Sequence, residues 1–385
     1  MRLIAGVMTG TSMDAIDIAI LQIASTCAAD QSRSESSLKG FFSKPMAPAL
    51  RAALLELQDR SDDELHRTAL IASSFADAVS VAVMEAIVGM GLTSRDIAAI
   101  GIHGQTVRHQ PRLGYSIQLN APARIAEATG ITVVSDFRSR DIAAGGQGAP
   151  LVPAFHEAIF SSPQELRAIV NIGGIANVTW LGRPLRGHDT GPGNMLMDAW
   201  CQRHLGKAFD QDGAWAASGQ IHMHLLEAML SDPFFSLPPP KSTGRDLFSL
   251  RWLDTMMDQV GVRAIAAEDV QATLLALTAQ SIAAEISRLE QQSIAMDQGR
   301  CDQVLICGGG AQNSALMKRL NKTIEDTLGR AVPVASSEAL GWPPQTIEAA
   351  AFAWLADRTI AGLPGNCPSV TGAIGPRILG SITPA

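Results

Sequence analysis

GVMTGTSMDAIDIAIL (residues 6–21) and IVNIGGIANVTWL (residues 169–181) decide the fold. Each reads as two apolar, β-rich runs folded back at a glycine turn. Residues 2–8 and 16–23 lie too close in sequence for a crossover helix and therefore form a hairpin, and residues 168–172 and 175–181 form a second one around Gly173-Gly174. Working outward, strand-like runs at 97–102, 115–119, 131–135 and 303–307 alternate with helical patterns within 47–91 and at 195–205 and 270–289. This is the rhythm of an α/β protein, not of a sandwich or a bundle. Ser61 and Glu64 have the spacing of a capping box. Two lobes that each open with a glycine-turned hairpin point to duplication, and 385 residues suit two domains at roughly 150 residues each. The lobe boundary is expected near DIAAGGQGAPLVP, residues 141–153. The proline run at 237–240 must be loop, and the polar stretch 27–37 reads as a mobile loop without a role.

Composition narrows the function classes. A hydrophobic fraction of 46% against 17% charged residues supplies one sizeable core per lobe and excludes global disorder. No stretch reaches the roughly 18 consecutive apolar residues of a spanning helix, since the most apolar run, from Val270, is broken by Gln, Thr and Ser. MRLIAGVMTGTS lacks the charged-then-apolar layout of a signal peptide, so a mature cytoplasmic chain is expected. The net charge of −7 opposes nonspecific binding to nucleic acid or an anionic membrane, which leaves a small molecule as the partner. The five cysteines, Cys27, Cys201, Cys301, Cys307 and Cys367, form no C-x-x-C pair and are expected to be buried thiols.

Four segments offer chemistry. Gly10, Thr11, Ser12, Met13 and Asp14 offer backbone N–H groups and two hydroxyls at a hairpin tip to a phosphate, without positive side chains, or form an ordinary turn in which Ser and Thr satisfy local backbone groups. The P-loop pattern is absent from the chain. Gly173 and Gly174 permit close backbone approach to a ligand, with Asn171 and Asn177 as uncharged partners. Gly308, Gly309 and Gly310 stand between a strand and a helix starting near Gln312 or Asn313, a place for adenine or a phosphate or simply a tight connection. In DTGPGN, Asp189 sits beside a glycine-rich helix start, as a general base facing a phosphate-bearing cleft or as a helix cap. An aspartic protease needs two such carboxylates in an all-β fold, and this chain has one D-T-G among long helices. His103 and Gln105 follow a strand end, while Arg124, Arg138 and Arg140 are the available clamps for a carboxylate or phosphate, each with a surface salt bridge as its plainer reading. His222 and His224 fall on different helix faces and make no metal pair.

In this order, GTSMDAID, GIHGQTVRH, SDFRSRDIAAGGQGAPLVP, VNIGGIANVT, DTGPGNMLMD, ICGGGAQN and IEAAAFAWLA resemble the anhydro-N-acetylmuramic acid kinase family over nearly the whole chain. The resemblance implies a two-lobed, actin-like ATPase (ribonuclease H-like) α/β fold with nucleotide in the interlobe cleft. It implies an N-terminal lobe of residues 1–138 and 362–385, and a C-terminal lobe of residues 139–361. It implies an ATP- and Mg2+-dependent reaction of 1,6-anhydro-N-acetylmuramic acid with water, giving N-acetylmuramic acid 6-phosphate and ADP for cell-wall recycling, in a cytoplasmic homodimer. By motif, Gly10, Thr11, Ser12, Met13, Asp14, Ala15, Ile16 and Asp17 hold ATP phosphates, together with Gly173, Gly174, Asn177, Gly308, Gly309, Gly310 and Asn313 as nucleotide loops. Asp189 is the base, and His103, Gln105, Arg138 and Glu348 contact the sugar. Two positions depart from the family: Thr9 replaces a usual Ser, and Ala15 a usual Gly, a strain of about 1 kcal/mol if that position needs positive φ. An ordinary sugar or small-acid kinase of the same fold, or a chaperone-like or filament-forming ATPase, is the alternative.

Overall fold

The structure, a computed structural model, describes residues 1–10, 13–24, 36–262 and 264–385. Thr11 and Ser12, expected on a phosphate, lie outside the described residues, as does most of the expected loop at 27–37; its last two residues begin a strand. The chain divides into two compact units, residues 1–159 with 346–385, and residues 160–345.

In the first unit the strands are β1 (Arg2–Met8), β2 (Ala15–Ile23), β3 (Ser36–Pro45), β4 (Ile97–Ile102), β5 (Gln105–Gln110), β6 (Tyr115–Leu119) and β7 (Val133–Ser135). β1, β2 and β3 form an antiparallel meander, and β4 and β7 add in parallel on the β1 side. A short strand, Ser381–Thr383, closes that edge, and β5 and β6 form a separate ribbon. The second unit has β8 (Arg167–Ile172), β9 (Ile175–Trp180), β10 (Arg186–Pro192), β11 (Gln303–Cys307) and β12 (Val334–Ser336). Here too a meander, β8 to β10, is extended in parallel from its first strand by β11 and then β12. The same order in both units is the duplicated ribonuclease H-like arrangement.

Sterics seat the helix Ile347–Ile360 on the first sheet. A Cβ at Gly6 would overlap the carbonyl of Ala349, and one at Gly101 would overlap that of Phe352, so only glycine at these two strand positions lets the helix approach so closely. The helix is accordingly rich in alanine, with Ala349, Ala350, Ala353 and Ala356 buried. This packing moves the expected boundary: residues 139–159 and 346–361 belong to the first unit, not the second.

Each unit has its own core. Val7, Ile18, Ile20, Phe75, Val79 and Ile100 are among the first, and Val170, Val178, Trp200, Leu277, Ile286 and Ile306 among the second. Helix Glu64–Gly89 is the one, among the described residues, long and apolar enough to cross a membrane by length and composition, whereas the sequence reading expects no spanning stretch and gives the run from Val270 as the most apolar. Its Phe75, Val79, Val83 and Ile87 face the first core. The expected capping box at its start does not form, because Ser61 Oγ accepts instead from Arg67 at 2.8 Å and Asp63 is the N-cap. Cys201, Cys301 and Cys307 are buried thiols, Cys367 is half-exposed, and Cys27 lies outside the described residues.

Candidate active site

The first hairpin turns through a left-handed residue. Met13 has φ 55°, and its N–H closes the turn on Gly10 O at 3.1 Å. Positive φ therefore falls on Met13 and not on Ala15, so the departure from glycine at Ala15 carries no backbone strain. Thr9 is buried and its hydroxyl points to Gly104 O at 3.5 Å. Asp14 is exposed and pairs with Arg51 Nε at 3.3 Å. Ile16 is buried in the core. Asp17 accepts from Ser43 Oγ at 2.6 Å, and burial raises its pKa against that hydrogen bond.

His103, Gln105 and Arg138 are also carried by the first unit. Arg138 donates through Nη1 to Gly148 O at 2.6 Å and through Nη2 to His103 Nε2 at 2.7 Å, while its buried Nε has no partner among the described residues. Burial lowers the guanidinium pKa to about 10, opposed by the charges of Glu348 and Asp141. His103 is buried, its ring 4.8 Å from that of Phe352, and desolvation together with Arg138 pushes its pKa well down. The ring is thus neutral, with Nε2 accepting from Arg138, while the buried Nδ1, near the Gly104 backbone, makes no well-formed hydrogen bond among the described residues. Gln105 Oε1 is buried and unpartnered as well. Asp141 locks the loop behind Arg138: it accepts from Gly148 N, Asn366 Nδ2 and Thr371 Oγ1, each at 2.8 Å. The half-buried guanidinium thus keeps an N–H that no group among the described residues uses, and it can still donate to an anion. Arg124 instead makes the surface salt bridge of its plainer reading, to Asp77.

In the second unit the glycine hairpin meets the segment after β10. Gly173 O accepts from Asn194 N at 2.8 Å, and Gly174 O accepts from Gly193 N at 2.9 Å. A Cβ at Gly310 would overlap Ile172, and one at Gly308, which has φ 78°, would overlap Asn171 Oδ1. A Cβ at Gly309 would meet only Asn194 Nδ2, in ordinary contact at 3.8 Å. Gly173, Gly174 and the three-glycine turn are therefore brought together at the ends of β8 and β11. Asn313 is engaged as the N-cap of helix Ser314–Leu328, its Oδ1 accepting from Leu316 N at 2.9 Å.

Asp189 lies on β10 opposite Asn177, not at a helix start. It caps no helix; the N-cap of Met195–Leu205 is Asn194, whose side chain donates to Ile172 O. A bulge between Asp189 and Gly191 re-aims the strand at this point. Asp189 Oδ2 accepts from Thr243 N at 2.9 Å, and its main-chain N–H donates to Lys241 O at 3.2 Å. Burial raises its pKa to about 7, opposed by the Thr243 N–H and the charge of Lys241. That value suits a general base at neutral pH. Lys241, Thr243, Glu285 and His188 around it carried no signal in the sequence, because Lys241 and Thr243 follow a proline run and the other two sit in ordinary strand and helix patterns. His222 is the N-cap of Met223–Leu230 and accepts from Leu225 N. Among the described residues no group of three or more His, Cys, Asp or Glu side chains is placed to hold a metal ion.

The profile described as Anhydro-N-acetylmuramic acid kinase matches residues 2–385. An anhydro-N-acetylmuramic acid kinase of Bordetella petrii is 49% identical over 387 residues, covering 100% of this chain and 97% of the relative. One from Pseudomonas paraeruginosa is 46% identical, covering 99% and 98%. Among solved structures, a ROK family glucokinase from Streptomyces griseus in complex with glucose and AMPPNP covers 92% of this chain and 99% of its own at 12% identity and a TM-score of 0.40, a likeness too slight to add to the family match. The chain belongs to the anhydro-N-acetylmuramic acid kinase family and is a phosphotransferase.

Proposed function

We propose that the chain opens 1,6-anhydro-N-acetylmuramic acid with water and phosphorylates it in one coupled step, with Asp189 as the base. In the anhydro sugar O6 is tied to C1, so no 6-hydroxyl is free to attack ATP. Water, losing a proton to Asp189, forms a bond to C1; the C1–O6 bond breaks; O6 takes the γ-phosphoryl group as the bond to ADP breaks. The phosphoryl group replaces the proton that a general acid would deliver, so one carboxylate suffices. The observation that carries this reading is Asp189 itself: a lone carboxyl, held through one oxygen by Thr243 N–H, with a pKa raised to about 7 by burial.

Arg138 takes the lactyl carboxylate, supported by its buried, unused Nε, and His103, Gln105 and Glu348 complete the sugar contacts, supported by the orphaned Nδ1 and Oε1 atoms. Gly10, Met13, Asp14, Ala15 and Asp17, with Thr11 and Ser12, handle ATP phosphates, as do Gly173, Gly174, Asn177 and Gly308, Gly309, Gly310 and Asn313, whereas Ile16 is a core residue that holds the hairpin. Mg2+ needs one or two protein carboxylates besides phosphate oxygens, so the lack of a ligand cluster is no obstacle. Asp17 fits it, a carboxylate whose pKa burial raises and which has no basic partner among the described residues; the ion would neutralise phosphate charge there. The reading extends to a cytoplasmic homodimer acting in cell-wall recycling; family membership gives no support to a chaperone-like or filament-forming ATPase or to an ordinary sugar kinase. The test is Asp189→Asn, which keeps shape but accepts no proton: turnover falls about 10²-fold or more with nucleotide affinity unchanged. Near-normal turnover would sink the assignment.

A further inference from the structure

We infer that Lys241, anchored on Glu285, is a positioning residue for Asp189: it fixes residues 241–243 as the clamp that holds the base. The inference rests on the reading of Asp189 as the base and adds a second layer to it. Residues 241–243 hold Asp189 twice, with Lys241 O accepting from its main-chain N–H at 3.2 Å and Thr243 N donating to its carboxylate at 2.9 Å. A loop after a proline run has no sheet to keep it in place, so something else must. The Lys241 side chain turns inward and is buried. Its Nζ lies 2.6 Å from Glu285 Oε1, 3.4 Å from Phe234 O and 3.5 Å from Phe235 O, and 4.8 Å from the Phe234 ring centroid. All three ammonium donors are thus spent inside the protein, and the side chain is not available to a ligand.

Glu285 is in turn fixed from the other side. His188, next to Asp189 in β10, places Nε2 2.9 Å from Glu285 Oε2, and Arg288 Nη2 lies 2.9 Å from the same oxygen. Glu285 belongs to helix Ala267–Ile294, whose Thr278 hydroxyl donates to Pro192 O or Gly193 O, both at 3.0 Å. The helix thus braces β10 on both sides of Asp189, through Thr278 beyond it and through Glu285 on His188 before it, and the same Glu285 holds Lys241 of the loop. The groups facing Asp189 and its clamp are His188 from β10, Glu285 and Arg288 from the helix, and Lys241 and Thr243 from the loop. Of these, the Thr243 N–H and, after it, the charge of Lys241 favour the Asp189 carboxylate against burial, which still prevails. A cluster that served stability alone would leave turnover chemistry untouched once the protein folded.

The experiment compares Lys241→Met, the charge-balanced double variant Lys241→Met with Glu285→Gln, and Asp189→Asn in steady-state kinetics over pH 5–9. The double variant removes the Lys241 and Glu285 charges together, leaving only the partly exposed Arg288 without its carboxylate, and stands in where the single one fails to fold. The expected result, in whichever of the two is folded by its thermal melt, is kcat lower by about 10-fold or more with KM for sugar and ATP within about 3-fold of the wild type; the acid limb of kcat moves upward in Lys241→Met and moves less in the double variant, which loses the opposing Glu285 charge as well. A folded variant with wild-type kcat and an unmoved acid limb, beside an inactive Asp189→Asn, overturns the role of Lys241 and leaves the base standing. An active Asp189→Asn overturns the base reading itself.

Discussion

Replacing Asp189 by Asn should stabilise the ligand-free protein at pH 8 while removing its turnover. The carboxyl has a folded-state pKa of about 7 against an ordinary value of 3.8, and burial is the cause. The folded state therefore binds a proton more tightly than the unfolded chain, so the wild type loses stability as pH rises from about 4 to about 7 and stays at the lower level above that. A difference of about three pH units corresponds to about 4 kcal/mol at 1.36 kcal/mol per unit, an upper value because the side chain is not wholly shielded from water. Asn is uncharged at every pH in this range, and its Oδ1 can still accept from Thr243 N–H. The stability gap between variant and wild type should grow from about 1 kcal/mol or less at pH 5 to about 2–3 kcal/mol at pH 8, or about 5–10 °C in the melting of a unit of this size. Urea unfolding at the two pH values reads it directly. A variant no more stable than the wild type at pH 8, or a gap that does not change with pH, would refute the claim that burial holds this carboxylate at a cost.

Two further predictions concern the first unit. Arg138→Ala should weaken sugar binding by about 2–5 kcal/mol with ATP affinity unchanged, since a desolvated guanidinium–carboxylate pair is lost; isothermal titration with each ligand checks it, and an unchanged sugar Kd sinks the role of Arg138. Gly101→Val should cost about 2 kcal/mol or more, because its Cβ would meet the Phe352 carbonyl and Ala356 Cβ and push helix Ile347–Ile360 off the sheet; a wild-type urea midpoint would contradict the packing argument.

Strong punctuation made much of the fold readable. Strands Ile97–Ile102 and Gln303–Cys307 and helix Met195–Leu205 stand in the structure with the bounds their apolar runs and flanking glycines dictate. β3 was not legible, because SSLKGFFSKP mixes polar and apolar residues and becomes a strand by pairing with β2. β10 was hidden for another reason: RGHDTGP carries two glycines and a proline, and its bulge breaks the alternation that marks a strand. Asp189 accordingly looked like part of a helix start when it is a strand residue. The sequence picked out the carboxylate by its motif, yet the clamp on it depends on Lys241 and Glu285, which are 44 positions apart and meet only through the packing of one long helix on β10. Likewise Arg138 and His103, 35 positions apart, are joined by the fold and by nothing in their local patterns.

The coupled ring opening is tested most directly by a prompt NMR spectrum of the reaction of the anhydro sugar with ATP in ¹⁸O-water. Because water attacks C1 from the face opposite the leaving O6, the first product should be the α-anomer of N-acetylmuramic acid 6-phosphate, with the label on the C1 hydroxyl, an unlabelled phosphate ester oxygen, and no free N-acetylmuramic acid at any time. Release of unphosphorylated N-acetylmuramic acid during turnover, or a first product of the β configuration, would contradict it.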